Sequence, residues 1–207
     1  RWIVRGIFRK KYRLGKNAIV SQICRIGVQS IFIVALVSGS VGLILALQLS
    51  PPLDEFGQRD KIANIITVAV LRELGPLIGA IVLTGFAGAS IAAEIGTMVV
   101  SEEIEALEAS ALNPVRFLVV PRLLAASLSM TALGVISSFC SIIAALGISV
   151  MVLGIPYETY VDNMLTQAKL VDFITGVVKG GIFGTLIGII ACANGLRVTG
   201  GAAGVGR

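Results

Sequence analysis

Two stretches of this 207-residue chain carry no charged side chain: 28 consecutive positions over 26–53 and 35 over 123–157. No other feature restricts the fold as strongly. A helix of about 20 apolar residues, rising 1.5 Å each, crosses a hydrocarbon core of about 30 Å. Lipid offers no water to an open backbone, so such runs must be helices or a closed barrel. A barrel would show strands of about ten residues with alternating polarity, and these runs show none. They predict transmembrane helices. Two further apolar runs carry few charges, and the expected spans are 26–49, 64–96, 123–153 and 173–196. Ser50-Pro51-Pro52 is expected to end the first span, because proline disfavours helix at the residue before it. The third should finish near Gly154-Ile155-Pro156, and Lys179 is the one charge inside the fourth.

Composition agrees with an all-α integral membrane protein. Only 14% of residues are charged, against about a quarter in soluble domains, and mean hydropathy is +0.93. The 24 glycines suit close helix–helix approach in lipid. The chain has no histidine, which removes the commonest metal ligand and general base. Cys24, Cys140 and Cys192 lie far apart and read as small buried hydrophobes. A metal centre and a Ser/His hydrolase are thereby excluded, and no GxxxxGK[ST] pattern offers a phosphate-binding loop.

Residues 1–25 hold eight of the seventeen basic side chains and no acid. Trp2, Ile3, Ile7, Phe8, Tyr12 and Leu14 are interleaved with them, as in a helix lying in the headgroup plane. A nucleic-acid arm is the competing reading, and the span that follows at once argues against it. With this segment in the cytoplasm, the inner segments carry 12 Lys/Arg and the outer loops 3, as the positive-inside rule requires. The loop 97–122 then faces the cytoplasm.

Within the second span, LRELGPLIGAIVLTGFAGASIAAEIGTM at 71–98, Arg72 and Glu73 are separated from Glu94 by about 33 Å of helix. The charges therefore belong near the two membrane boundaries. At 100° per residue, Gly85, Gly88, Ala89, Ala92, Ala93 and Gly96 share an arc that can approach another helix. Phe86, Ser90 and Glu94 follow at i, i+4, i+8 on the other side. Acids at membrane depth usually face a cavity or a partner, which makes this face a candidate wall for an amphiphilic cargo, with Arg72 and Glu73 at its outer end. The plainer reading is end-of-span side chains that reach to water. Pro76 can kink the helix and uncouple its two halves. In the fourth span, Gly180, Gly184 and Gly188 form a small-residue ridge for packing.

The cytoplasmic loop SEEIEALEASALNPVRFLVVPR suggests a short surface helix over 101–113, with Ser101 as its N-cap and Asn113-Pro114 as its stop. Ile104, Leu107, Ala111 and Leu112 make an apolar stripe, and Glu102, Glu103, Glu105 and Glu108 an acidic face. It is either a solvated linker or a docking element. Residues 157–172, YETYVDNMLTQAKLVD, read as an interfacial helix on the outer side.

LRELGPLIGAIVLTG at 71–85, GASIAAEIGTMVVSEEIEAL at 88–107, NPVRFLVVPRLLA at 113–125 and GGAAGVG at 200–206 together resemble the MlaE-type (YrbE-like) permease subunits of ABC lipid transporters. That resemblance implies an interfacial helix and five spans, of which the fifth would start just after GVG, so the chain is expected to be a fragment without it. It implies a homodimer in the bacterial inner membrane, or in a plastid inner envelope, that moves phospholipid or a related lipid. It also implies a cytoplasmic ABC ATPase, carrying the ATP and Mg, that grips the loop between the second and third spans at Glu102, Glu103, Ile104, Glu105, Leu107 and Glu108. An extracytoplasmic MCE-domain lipid-binding protein would sit on the other face. No cofactor is expected in this chain and no enzymatic activity. Two positions depart from the family's pattern: Phe86 stands where relatives often carry arginine in G-R-x-G, and Ala203 where they often carry an acid. From the residues alone, an ion-coupled secondary carrier using Glu94 is the alternative.

Overall fold

The computed structural model describes residues 16–199. The basic stretch before Lys16 and the departure at Ala203 lie outside them. Among the described residues every regular element is helical. Helices α1 (Lys16–Ile26), α2 (Ile31–Glu55), α3 (Ile62–Ala69), α4 (Gly75–Leu83), α5 (Ala89–Val100), α6 (Glu103–Ala109), α7 (Val120–Met151), α8 (Tyr157–Gln167) and α9 (Leu170–Leu196) follow in order. Many join end to end, and four stretches are long and apolar enough to cross a membrane: Ile19–Glu55, Arg59–Val100, Val115–Met151 and Leu170–Leu196. Large apolar side chains such as Phe32, Ile81 and Ile143 stand exposed along them, as lipid-facing residues do.

The boundaries differ from the sequence expectations where proline was weighed. Pro51 and Pro52 lie inside α2, and the helix continues to Glu55. Its stop is glycine chemistry instead. Gly57 has φ 62°, its N–H donates to the Asp54 carbonyl, and Gln58 N–H reaches back to Leu53 O at 2.8 Å. That pair of bonds is a Schellman closure, which needs a left-handed residue. The second span is longer than 64–96 and is interrupted by π-helical turns at Val70–Leu74 and Thr84–Gly88. A third π-turn, Val115–Val119, leads into α7. Two of the three end two residues before a proline, Pro76 and Pro121. A proline ring clashes with the carbonyl four residues back and donates no hydrogen bond. A π-turn at that point widens the helix where the clash would fall.

The described residues divide into two compact units: 16–30, Leu83–Ser129 and 181–199 form the first, Ile31–Val82 and Met130–Gly180 the second. In the second, Ile62, Ala63, Ile66 and Val70 pack with Ala46, Ala145, Ile155 and Tyr160 in a buried cluster. Here α2 and α7 meet backbone to backbone. A Cβ at Gly42 would stand 2.0 Å from the Ser141 carbonyl oxygen. Serines line this seam: Ser38 and Ser137 share a 2.7 Å hydrogen bond, and the Ser141 hydroxyl donates to Ser38 O at 2.6 Å. On α9, Gly176 faces Leu71 O at similarly close range, and Gly180 packs at ordinary contact distance on Thr131.

In the first unit the end of α9 packs through Gly188 against Leu123 and Ala126, and through Gly195 against Ala92 and Ile95. Gly184 is also buried, so the α9 ridge is a packing face throughout. The arc expected on α5 is rotated. Gly88 and Gly96 are buried, but Gly85, Ala89 and Ala93 are exposed, and nothing lies within 4 Å of a Cβ at Gly85. The π-turn at Thr84–Gly88 accounts for Gly85, since an extra residue per turn shifts its phase against the helix that follows; Ala89 and Ala93 lie beyond the turn, on the exposed edge of the expected arc. The buried line is Leu83, Ala87, Gly88, Ile91, Ile95 and Gly96, with Ala92 half-buried.

Candidate functional site

Phe86, Ser90 and Glu94 do share one face, and in the first unit that face lines a cleft with Gln22, Arg25, Ile26 and Gln29 of the α1 end. The cleft holds about 30 Å³, room for a water molecule. Its floor is ionic. Glu94 Oε2 meets Arg25 Nη1 at 3.1 Å and Glu94 Oε1 meets Arg122 Nη2 at 2.9 Å. Arg122 also donates from Nη1 to Leu118 O at 3.0 Å, and its side chain is only 6% exposed. A carboxylate with an arginine on each oxygen is the arrangement expected of a charge kept at a membrane boundary. Arg25 and Arg122 were not singled out by sequence reasoning. The available signal was Arg122 itself, a lone cation directly after Pro121 and directly before the 35-residue charge-free run.

Arg72 and Glu73 are in the second unit, on the first π-turn. Arg72 Nε lies 3.6 Å from Asp172 Oδ1, and Lys179 Nζ donates to Glu73 Oε1. Lys179 is thus paired across helices. Asp172 is largely buried, so its partner compensates a carboxylate removed from water.

The acidic loop helix is shorter than 101–113. α6 has seven residues, about 10 Å long, and is flanked by two non-glycine residues in the left-handed region, Glu102 (φ 58°) and Ala111 (φ 57°). Ser101 does not cap it. Its hydroxyl donates to Thr97 O and to the Glu103 carboxylate, and Glu102 holds the N-cap position. The exit is a Schellman closure, Leu112 N–H to Leu107 O at 3.0 Å, formed before Asn113. Asn113 instead opens the next segment, its Oδ1 accepting from Arg116 N–H at 3.3 Å. Glu102, Glu103, Glu105 and Glu108 are exposed, while Ile104 and Leu107 are half-buried.

On the second unit an open groove of about 610 Å³ lies between the α2–α3 turn and the end of α8. Leu53, Phe56 and Ile65 give it an apolar side, and Gln58, Lys61, Asn64 and Gln167 a polar one. Nearby, Tyr160 of α8 is fully buried, which pushes its phenol up to about 12, the Ser149 hydroxyl opposing the shift.

The family described as Permease MlaE matches residues 19–207. A probable ABC transporter permease protein of Rickettsia bellii is 35% identical over 191 residues, covering 92% of this chain and 74% of the relative. One from Synechocystis sp. is 32% identical over 195 residues, 94% of this chain and 74% of the relative. The protein TRIGALACTOSYLDIACYLGLYCEROL 1, chloroplastic, of Arabidopsis thaliana is 31% identical over 188 residues, 91% of this chain and 54% of that protein.

Proposed function

We propose, from the premise that the chain belongs to the MlaE family of ABC transporter permeases, that it forms the membrane path for a phospholipid or related lipid and is energised by a separate cytoplasmic ATPase. The observation that carries the reading is the cleft of the first unit, where Phe86 and Ile91 adjoin Ser90, Arg25 and Glu94. An apolar wall ending in an ionic floor meets both parts of an amphiphile. The cleft of one chain is far too small for a whole lipid, so the path is completed by a second copy. The name of the Arabidopsis relative, which contains a diacylglycerol lipid, supports a lipid cargo. Arg72 and Glu73 belong to the outer end of this path.

The ATPase grips α6. Glu103, Glu105 and Glu108, with Glu102 at its N-cap, form an exposed charged face, and Ile104 and Leu107 are partly open for an apolar contact. The sequence itself carries no phosphate-binding loop, so ATP and Mg belong to that partner. An extracytoplasmic MCE-domain protein receives or delivers the lipid, in a bacterial inner membrane or a plastid inner envelope. The ion-coupled alternative meets a Glu94 whose two oxygens are each held by an arginine.

Co-purification from the native membrane tests this. A stoichiometric ATPase is expected, lost on Ile104→Asp plus Leu107→Asp, with phospholipid found by mass spectrometry in the complex. Transport that follows an ion gradient without nucleotide would sink the proposal.

A further inference from the structure

We infer that Arg25 and Arg122 are positioning residues that carry motion of α6 to α1, with Glu94 as the bridge between them. The inference rests on the reading of α6 as the ATPase contact, and goes beyond it by naming the path inward. Glu94 and Arg122 stand at the two ends of the segment that contains α6, and their 2.9 Å ion pair closes that segment at its base. A displacement of α6 carried along the chain in either direction therefore arrives at a member of this pair. The other oxygen of Glu94 takes Arg25, so the same carboxylate clasps α1.

The surroundings make the bridge stiff on one side and yielding on the other. Arg122 is buried and tied a second time to Leu118 O, and α1 ends at Gly27, where a Cβ would fall 2.9 Å from Ser129 Oγ on α7. That close approach seats α1 on α7 two residues from Arg25. By contrast, the π-turn at Val115–Val119, which ends two residues before Pro121, is a wide turn, and it lies between α6 and Arg122. Arg25 is the exposed arm, with half its side chain open to the cleft. A single arginine on Glu94 would satisfy its charge. A second one, from a separate helix and on the other oxygen, is what a mechanical link requires.

The test uses the complete complex with its ATPase, reconstituted in vesicles of phosphatidylethanolamine and phosphatidylglycerol, and reads lipid moved per ATP hydrolysed. Arg122→Gln is expected to assemble and hydrolyse ATP while this ratio falls about fivefold or more, the low end of ordinary coupling energies; Arg25→Gln, which also alters the cargo cleft, is judged by label separation instead. Arg122→Lys, which keeps the charge, should recover part of the ratio. A fall in hydrolysis and transfer together, with the ratio unchanged, overturns the inference, since loss of structure alone produces it. If Arg122→Gln does not assemble, Arg25→Gln decides, because its side chain is half in solvent. A cargo-independent reading separates the inference from the lipid assignment. Spin labels at Val20→Cys and Ala109→Cys, with the native cysteines replaced, should change separation with ATP in the parent protein and not in Arg25→Gln. If the parent complex moves no lipid, the lipid reading fails, and the label separation alone judges the arginines: a change that persists in Arg25→Gln refutes them.

Discussion

Replacing Gly42 by alanine should be among the most damaging single-methyl insertions in the chain. The new Cβ would sit 2.0 Å from the Ser141 carbonyl oxygen, 2.7 Å from its carbon and 2.9 Å from its Cα. All three are backbone atoms of a long helix, so no side chain can swing aside. Relief requires α2 and α7 to separate by about 1 Å, to reach an ordinary contact of about 3.0–3.4 Å. The same movement stretches the two serine bonds beside it, 2.7 Å between Ser38 and Ser137 and 2.6 Å from Ser141 to Ser38 O. Overpacking costs about 1–3 kcal/mol, and interhelical hydrogen bonds in membrane proteins average about 0.6 kcal/mol each. Alanine's better helix propensity returns up to about 1 kcal/mol. The net loss is about 2–3 kcal/mol, because a backbone contact lies at the upper end of the overpacking range. Gly39→Ala, three residues earlier on α2, is the control: its Cβ meets only the Ala144 methyl at 3.8 Å. Reversible unfolding in mixed micelles, by detergent titration or steric trapping, measures both. The reasoning fails if Gly42→Ala is within about 0.5 kcal/mol of Gly39→Ala, the scatter of inconsequential substitutions.

Ala111→Gly should stabilise the α6 exit by about 1 kcal/mol, since Ala111 holds φ 57° where glycine pays no Cβ penalty; slower proteolysis of the 101–113 loop checks it, and faster cleavage counts against it. Tyr160 is held near 12 by burial, above its ordinary 10.0, so its contribution is fully present below pH 10 and is lost as pH rises towards 12. Up to roughly 2–3 kcal/mol goes in that window, and Tyr160→Phe should abolish that part of the alkaline transition. Glu94→Gln is expected to lower lipid transfer while dimer and ATPase still co-purify; normal transfer would restrict the carboxylate to a boundary role.

The spans were readable because lipid punishes charge, and four charge-free or nearly charge-free runs left few alternatives. Their ends were less readable, because proline was weighed by its local rule. Pro51 and Pro52 fit within the last turns of α2, and Gly57 supplies the stop. Pro76 had no account in the sequence beyond a kink; the π-turn at Val70–Leu74 supplies one. The Thr84–Gly88 turn moved Gly85 off the buried line, which no constant angle per residue can anticipate, while Ala89 and Ala93 lie at the edge of the small-residue arc, where composition alone does not say which side is covered. Phe86, Ser90 and Glu94 nevertheless line one cleft, Phe86 from within that turn and the other two from the helix beyond it. Arg25 and Arg122 escaped notice since pairing across elements distant in sequence leaves no periodic trace.

The π-turns ahead of Pro76 and Pro121 also bear on how such a chain tolerates change at the level of its gene. Each holds one more residue than an α-helical turn needs, so removal of a single codon from Val115–Val119 would leave an unbroken helix of ordinary pitch. The apolar length would scarcely alter, and insertion into the membrane would proceed. Yet the ordinary pitch would bring the Pro121 ring against the Phe117 carbonyl, the clash that the wide turn avoids. An alignment gap of one residue at this place is therefore a heavy event for this protein, although it leaves the number and length of its spans unchanged.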